Sequence, residues 1–237
     1  MTTKSTYTST DIQAIFNRIA PVYDRLNNDL SLGMHWVWKQ MTVTWSGAKA
    51  GDVCLDLCCG SGDLTQLLAR QVGSVGTVIG ADFAPAQLET AAARVASIYP
   101  SLDRIEWVEA DALDLPFADS YFDAATMGYG LRNVTDIPRC LQELYRVLKP
   151  GTKVAILDFH RPDNNLMRQF QQWYLDAIVV PKATQLGMMA EYAYLNPSLD
   201  RFPMGAEQVK LGLAAGFSRA THYPIAGGMM GILVLTK

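Results

Sequence analysis

The chain has 237 residues, of which 49% are hydrophobic and 18% charged, a composition typical of one globular α/β domain. A formal net charge of -3 and the lack of any basic run argue against a nucleic-acid partner, which needs clustered Lys and Arg. Residues 1–11 are polar and contain no apolar signal core. The longest uncharged apolar stretch, Pro224–Thr236, is too short to span a bilayer. We therefore expect a soluble cytoplasmic protein that contacts a membrane surface at most.

The four cysteines are Cys54, Cys58, Cys59 and Cys140. Three of them crowd one short segment, and none shows the paired spacing of a zinc site. We therefore predict neither a metal centre nor a disulfide framework, and we interpret the thiols as small apolar fillers.

The N-terminal part predicts a helical cap over residues 1–48. Ile12, Ile15, Phe16 and Ile19 recur with helical spacing behind the N-cap candidates Ser9 and Thr10. A segment rich in Asn, Met and Trp follows. The remainder, residues 49–237, is predicted to form the main domain.

From residue 53 onward, strand-like and helix-like segments alternate. Strands are predicted at Val53–Leu57, Thr77–Ala81, Ile105–Glu109, Phe122–Thr126 and Lys153–Phe159. Helices are predicted at Leu64–Val72 and Pro85–Ile98, and a third with its apolar face from Ile137 to Leu148 is predicted to stop at Pro150-Gly151. This alternation predicts a parallel, doubly wound sheet with its ligand at the carboxyl ends of the strands.

After Phe159 the alternation of strand-like and helix-like segments ends. An amphipathic helix is predicted from Leu166 to Ile178, and we interpret residues 164–204 as an insertion that forms a lid over the pocket. Residues 206–237 predict a helix stopped by Gly216 and two final strands.

The turn Gly60-Ser61-Gly62 follows a buried strand, as in dinucleotide-binding proteins. Dehydrogenases place a third glycine at the position where this chain has Thr65. Asp56 stands four residues before Gly60, where a carboxylate repels a pyrophosphate and suits a ligand with an ammonium and a sulfonium group. The turn therefore favours a cationic adenosyl ligand over NAD.

Further acidic residues follow the next two strands. Asp82 is placed to accept hydrogen bonds from both ribose hydroxyls, and Phe83 offers an apolar face to adenine. Asp111 and Ala112 are placed to read the adenine amino edge. Each Asp alone is also a common helix cap or turn residue, but the ordered set points to one adenosyl site.

This ordered set resembles the class I methyltransferases over roughly residues 50–160. The resemblance implies S-adenosyl-L-methionine as cofactor and a Rossmann-like, mostly parallel sheet with an antiparallel last strand. It also implies that Asp56, Gly60, Ser61 and Gly62 hold the methionyl part, that Asp82 and Phe83 hold the ribose and adenine, and that Asp111 and Ala112 read the base. Gly128, near the fourth strand, is expected to line the floor of the site.

The acceptor class depends on the run Met127–Asn133, which lacks the Asn/Asp-Pro-Pro-aromatic motif of DNA amino-methyltransferases. Three segments, Tyr23–Trp36, Gly130–Val134 and Arg146–Gly151, resemble the quinone-biosynthesis C-methyltransferases, and the similarity extends over nearly the whole chain. The Cys58-Cys59 pair is most similar to the cyanobacterial and plastid branch. The resemblance implies C-methylation of a prenylated naphthoquinol, 2-phytyl-1,4-naphthoquinol, in phylloquinone synthesis.

Alternatives stay open at this point. Demethylmenaquinol and ubiquinone-precursor enzymes share these motifs, and a non-catalytic cofactor-binding subunit of a quinone-synthesis complex would keep the same turn. Neither the oligomeric state nor the general base is readable from the residues.

By resemblance, Arg132, Asn133 and Tyr23 surround the ring oxygens of the quinol. The alternative for Arg132 is an ion pair with a nearby carboxylate, and for Tyr23 and His35 a role as hydrogen-bonded anchors of the cap. Asp158 and His160 depart from the usual Glu and Ser of the family, which leaves open whether His160 lies at the pocket mouth or on the surface. We expect the lipid-soluble tail to enter between the cap and the 164–204 insertion, with transient membrane contact.

Overall fold

The computed structural model describes residues 31, 33–98, 104–185 and 197–237. Within these residues one seven-stranded sheet has the order β3-β2-β1-β4-β5-β7-β6. The strands are β1 (Val53–Leu57), β2 (Thr77–Asp82), β3 (Ile105–Glu109), β4 (Phe122–Gly128), β5 (Leu148–Phe159), β6 (Arg219–Ile225) and β7 (Met230–Thr236). β7 runs antiparallel to both of its neighbours, and the five strands from β3 to β5 pair in parallel. The predicted fold class, including the antiparallel last strand, is confirmed.

Helices cover both faces of the sheet. They are α1 (Met34–Ser46), α2 (Asp63–Val72), α3 (Pro85–Ile98), α4 (Ile137–Val147), α5 (Asn165–Tyr174), α6 (Val180–Gln185) and α7 (Gly205–Ala214). On one face α1 and α2 bury Cys54 and Val78. On the other face α4 packs in the cluster that contains Leu55 and Leu57, and α7 packs against α4, β6 and β7. Because consecutive residues of β1 are buried on opposite faces, its sequence is a continuous apolar run interrupted by Asp56.

The end of α4 differs from the prediction. The helix ends at Val147, and β5 already begins at Leu148 and runs through Pro150 and Gly151. Leu148 pairs with Phe122 of β4, and a register shift follows between Phe122 and Ala124. Gly151 adopts φ +80° and donates its N–H to the Lys237 carbonyl. Sheet pairing, not the Pro-Gly pair, therefore ends the helix.

The insertion begins with α5, whose N-cap Asn164 accepts hydrogen bonds from the Leu166 and Met167 N–H groups. A π-helical turn, Leu175–Val179, joins α5 to α6. Leu175 and Val179 pack with Leu199 of the same segment, and Phe159 at the end of β5 packs against this cluster and so attaches the segment to the sheet. Residues 186–196, in the middle of the insertion, lie outside the described part.

Most of the predicted N-terminal cap also lies outside the described residues, including the helix predicted around Ile12–Ile19. The described part of the cap, α1, packs against α2, β4 and β5 as a layer of the main domain. No helix among the described residues is both long and apolar enough to cross a membrane.

Candidate active site

An open cleft of about 1020 Å³ lies at the carboxyl ends of β1, β2 and β4 and beside the loop after β3, where a doubly wound sheet binds its ligands. Its walls contain eight of the predicted cofactor residues, namely Asp56, Gly60, Ser61, Asp82, Phe83, Asp111, Ala112 and Gly128. The strand ends bring these residues together although they span more than seventy positions of the chain. The cleft also contains Asn133, from the predicted acceptor-binding residues.

The glycine turn adopts backbone conformations that favour glycine. Gly60 has φ +53° and Gly62 has φ +82°, both in the left-handed region. A Cβ on Gly62 would lie 2.8 Å from the Trp107 ring and 3.2 Å from the Ala91 Cβ. Gly62 itself is not among the cleft-lining residues, so its glycine is required by the turn and by the packing of α3 and β3 beneath it.

Asp56 is fully buried in β1 and lies at the inner end of the cleft. Its two carboxyl oxygens accept hydrogen bonds from Thr65 Oγ1 at 2.6 Å and from Thr126 Oγ1 at 2.9 Å. Burial raises its pKa to about 7, although these hydrogen bonds and Lys39 oppose the shift. The threonine at position 65, which distinguished this turn from the dehydrogenase pattern, thus holds the Asp56 carboxyl group.

Asp82 lies at the end of β2 and joins the turn to the next loop. Its carboxylate accepts the Gly60 N–H at 2.9 Å and the Ala84 N–H at 3.0 Å. Burial raises its pKa above the usual value, and these N–H groups act in the opposite direction. The Phe83 N–H is a third backbone donor to this carboxylate. A carboxylate has about four acceptor sites, so one remains for a ribose hydroxyl. Phe83 lies beside it in the same wall.

The opposite wall is built by the loop after β3 and the end of β4. Asp111 is exposed and accepts the Leu113 N–H at 2.9 Å, whereas Ala112 is buried. Gly128 ends β4, and a Cβ there would lie 2.8 Å from Leu64 Cδ1. All three residues line the cleft, and the exposed Asp111 carboxylate is able to accept a hydrogen bond from an amine-bearing base.

Arg132 forms an ion pair with a carboxylate, which was the alternative to direct contact with the quinol. Its guanidinium lies 2.6 Å from the Asp158 carboxylate, with the side chain 8% exposed, and also donates to the Tyr129 carbonyl at 2.8 Å. Asn133 Nδ2 donates to the same carbonyl at 2.9 Å. Tyr129 has φ +60°, rare for a residue with a side chain, so the two groups brace a strained peptide at the cleft wall. Arg132 is not itself among the lining residues.

The sequence reasoning missed Lys39, Asp63 and Arg94. Lys39 on α1 and Asp63 at the start of α2 both line the cleft and form a buried ion pair, and Arg94 on α3 pairs with the same carboxylate. The only sequence signal was a lone Lys among the aromatic residues of the cap.

Cys58, with φ +54°, and Cys59 also line the cleft, and burial raises the pKa of both thiols well above the usual value.

Neither His160 nor His35 has the surroundings considered for it from the sequence. His160 is buried, neither at the pocket mouth nor on the surface, and bonds the Gly228 carbonyl and the Gly205 N–H. His35 is also buried, and burial, followed by the charge of Lys39, lowers its pKa to about 4. Its ring nitrogens have no hydrogen-bond partner in the described part of the chain, so the anchoring role is not seen there. Tyr23 lies outside the described residues.

The sheet order, the glycine turn and the acidic residue at each following strand end together define a class I methyltransferase that uses S-adenosylmethionine. A model described as the ubiE/COQ5 methyltransferase family matches residues 2–237. The chain therefore belongs to the ubiE/COQ5 methyltransferase family, which confirms the resemblance in the motifs.

Curated relatives are similar over nearly their whole length. The chain is 67% identical to the 2-phytyl-1,4-naphtoquinone methyltransferase of Nostoc sp. strain PCC 7120, over 95% of the chain and 98% of the relative. It is 54% identical to the chloroplastic 2-phytyl-1,4-beta-naphthoquinone methyltransferase of Arabidopsis thaliana, over 97% and 88%. A SAM-dependent methyltransferase structure from Aquifex aeolicus has TM-score 0.62 at 19% identity, covering 83% of this chain and 88% of that one, which supports the fold alone.

Proposed function

We propose that this methyltransferase transfers a methyl group from S-adenosylmethionine to a ring carbon of reduced 2-phytyl-1,4-naphthoquinone, the last methylation in phylloquinone synthesis. The observation that carries the proposal is the 67% identity to the Nostoc enzyme of that name, over 95% of the chain. The match spans nearly the whole chain, so it includes both the cleft and residues 164–204 and bears on the acceptor as well as on the cofactor.

The chemistry requires the reduced form of the acceptor. S-adenosylmethionine, when bound, supplies a methyl group activated by its sulfonium. A quinone ring is too electron-poor to attack this carbon, whereas loss of a hydroxyl proton from the quinol makes the neighbouring ring carbon enolate-like. The protein then has to align the ring, stabilise the phenolate and exclude water.

Asn133 is the best-placed polar side chain for the quinol oxygen. It lines the cleft, and its Oδ1 is buried with no hydrogen-bond partner among the described residues. A quinol hydroxyl would supply the missing donor. Arg132 would position Asn133 without touching the quinol, because its ion pair with Asp158 and its bond to the Tyr129 carbonyl fix the strained loop that carries Asn133. Tyr23 remains a proposed third member.

The phytyl tail is proposed to leave the cleft between the N-terminal cap and the insertion. One face of α5 carries large apolar side chains in solvent, with Leu166 75%, Phe170 44% and Trp173 56% exposed. An apolar helix face of this kind is suited to lie in a lipid interface. We therefore propose a cytoplasmic protein that contacts a membrane face peripherally and collects its substrate there.

Turnover with purified protein tests the proposed acceptor. The protein is incubated with isotopically labelled S-adenosylmethionine and with 2-phytyl-1,4-naphthoquinone in its reduced or oxidised form, and labelled product is separated by chromatography. We expect methylated product only from the reduced form. Demethylmenaquinol and a polyprenylated benzoquinol are run in parallel, and a higher kcat/KM for either would overturn the proposed acceptor. No product from any quinol would indicate a non-catalytic cofactor-binding subunit.

A further inference from the structure

A buried group of three charges lies where α1, α2 and α3 meet at the cleft. Lys39 and Asp63 are each 5% exposed, and the Lys39 ammonium pairs with one carboxylate oxygen of Asp63. The Arg94 guanidinium pairs with the other oxygen. Burying a lysine this deeply is costly unless its charge and its donors are used, so its position calls for a physical explanation.

Lys39 faces the cleft as well as Asp63. Both side chains line the cleft, beside Gly60 and Ser61 of the glycine turn. An ammonium has three N–H donors, and Asp63 is its only hydrogen-bond acceptor among the described residues. Its other neighbours are the rings of Trp36 and Tyr129, with centroids 5.5 Å and 5.8 Å away, which attract a cation but accept no conventional hydrogen bond.

The ion group around Asp63 carries more positive than negative charge. Burial by itself would raise the pKa of Asp63, but Lys39 and Arg94 lower it below the usual value, so the carboxylate is ionised at neutral pH. One carboxylate thus faces two cations. Two further acidic side chains line this part of the cleft. Asp56 adds less negative charge because burial raises its pKa to about 7, and the Asp82 carboxylate accepts the Gly60 N–H. The N-terminus of the ten-residue helix α2 at Asp63 contributes further positive potential.

We infer that Lys39 binds the carboxylate of the methionyl part of the cofactor, and that Asp63, held by Arg94, is the residue that positions its ammonium. The remaining N–H donors of Lys39 would be directed to the ligand carboxylate beside the glycine turn. This assigns the methionyl end to a cation from the cap helix in addition to the acidic residue predicted there. The inference concerns cofactor binding alone and does not depend on which quinol is methylated.

Two ligands that differ only in the carboxylate test the inference. S-adenosylhomocysteine carries the carboxylate, and S-adenosyl-3-thiopropylamine lacks it but keeps the ammonium. Calorimetry of Lys39→Met should show about 10- to 100-fold weaker binding of the first ligand, because a charge-assisted hydrogen bond is lost. Binding of the second ligand should stay within about twofold of the unaltered protein.

The exposed Lys49 provides a matched control, and Lys49→Met should leave both affinities unchanged. Lys39→Arg, which keeps the charge, should retain a preference for the carboxylate ligand and serves as the second variant if Lys39→Met does not fold. Equal weakening of both ligands would show that Lys39 only supports the structure. Unchanged affinity for S-adenosylhomocysteine would likewise overturn the inference.

Discussion

At the residue scale, Asp56 is a carboxyl group whose protonation is set by its burial. Its side chain is fully buried in a central strand, and both oxygens accept hydrogen bonds, from Thr65 and Thr126. Burial raises its pKa to about 7 from an ordinary value of 3.8. A carboxyl group that changes charge near neutral pH, next to the cofactor turn, couples the protonation of this site to the stability of the fold.

This coupling has a definite sign. The native pKa lies above the unfolded value, so between pH 4 and pH 7 the native state keeps a proton that the unfolded state has released. The Asp56 contribution to the free energy of unfolding is therefore present at acid pH and decreases as pH rises through about 7. We expect Asp56→Asn to remove this decrease, so that the variant gains stability relative to the unaltered protein between pH 5 and pH 8.

Urea unfolding at pH 5 and pH 8 measures this difference. His35 and His222, whose pKa values burial lowers to about 4, produce an opposite trend at acid pH, but they are common to both proteins and cancel in the comparison. The exposed Asp114 provides the control variant Asp114→Asn, which should follow the unaltered protein at both pH values. A stability difference for Asp56→Asn that does not change with pH would contradict the prediction.

At the element scale, α5 has two unlike faces. Gln171 on its inner side donates to the His160 carbonyl at 2.8 Å, and Leu175 and Val179 continue the buried side into the π-helical turn. Leu166, Phe170 and Trp173 follow one another on the outer side at helical spacing and are exposed. A helix anchored on one side and apolar on the other is suited to hold the proposed substrate at a lipid surface.

We expect the combined substitution Leu166→Asn, Phe170→Asn and Trp173→Asn to weaken vesicle binding at least tenfold, since each large apolar side chain contributes on the order of 1 kcal/mol or more when buried. Sedimentation with phosphatidylcholine vesicles containing phosphatidylglycerol measures the bound fraction. Affinity for S-adenosylhomocysteine should not change, because α5 does not line the cofactor cleft.

A second set of exposed apolar residues controls for a general loss of hydrophobic surface. Val75, Tyr121 and Leu213 are 73%, 44% and 48% exposed and lie outside the insertion. Their combined replacement by Asn should leave vesicle binding nearly unchanged. Equal losses for the two triple variants, or none for the α5 variant, would be evidence against membrane contact through α5.

At the scale of the whole molecule, Arg146 joins the loop between β3 and β4 to helix α4. Its guanidinium donates to the carbonyls of Leu115 and Phe117 at 2.8 and 2.7 Å, and to the carboxylates of Glu143 and Asp119. Glu143 is only 2% exposed and also accepts the Leu115 N–H. One planar side chain thus fixes the loop that follows Asp111 and Ala112, the residues predicted to read the adenine.

Arg146→Lys should lower the free energy of unfolding by roughly 2–3 kcal/mol, because a single ammonium cannot reach this set of acceptors in the plane that the guanidinium covers. Urea denaturation followed by circular dichroism measures the loss. Arg219→Lys at an exposed position of β6 provides the control and should change stability by less than about 0.5 kcal/mol. Equal stability of the two variants would show that the loop does not depend on Arg146.

Local sequence determined the bounds of several strands and helices. The bounds of β1 and β3 and of α3 were predicted as they occur, because apolar runs, the Gly60-Ser61-Gly62 turn and Pro85 are local signals. The end of α4 was predicted wrongly, since the start of β5 depends on the pairing of Leu148 with Phe122, 26 residues earlier. Strand pairing partners are not encoded within the segment that forms the strand.

The candidate site likewise contains some residues that the local sequence predicts and others that only the packing of elements brings together. The sequence by itself determined the cofactor class and the residues at the strand ends, because a parallel sheet brings its carboxyl ends to one edge whatever the loops between them. Only the tertiary structure decided that Arg132 pairs with Asp158 and that Lys39 reaches Asp63, 26 and 24 residues away. Such pairs form where separate elements pack against each other, and burial then sets their protonation. No local sequence pattern therefore predicts them.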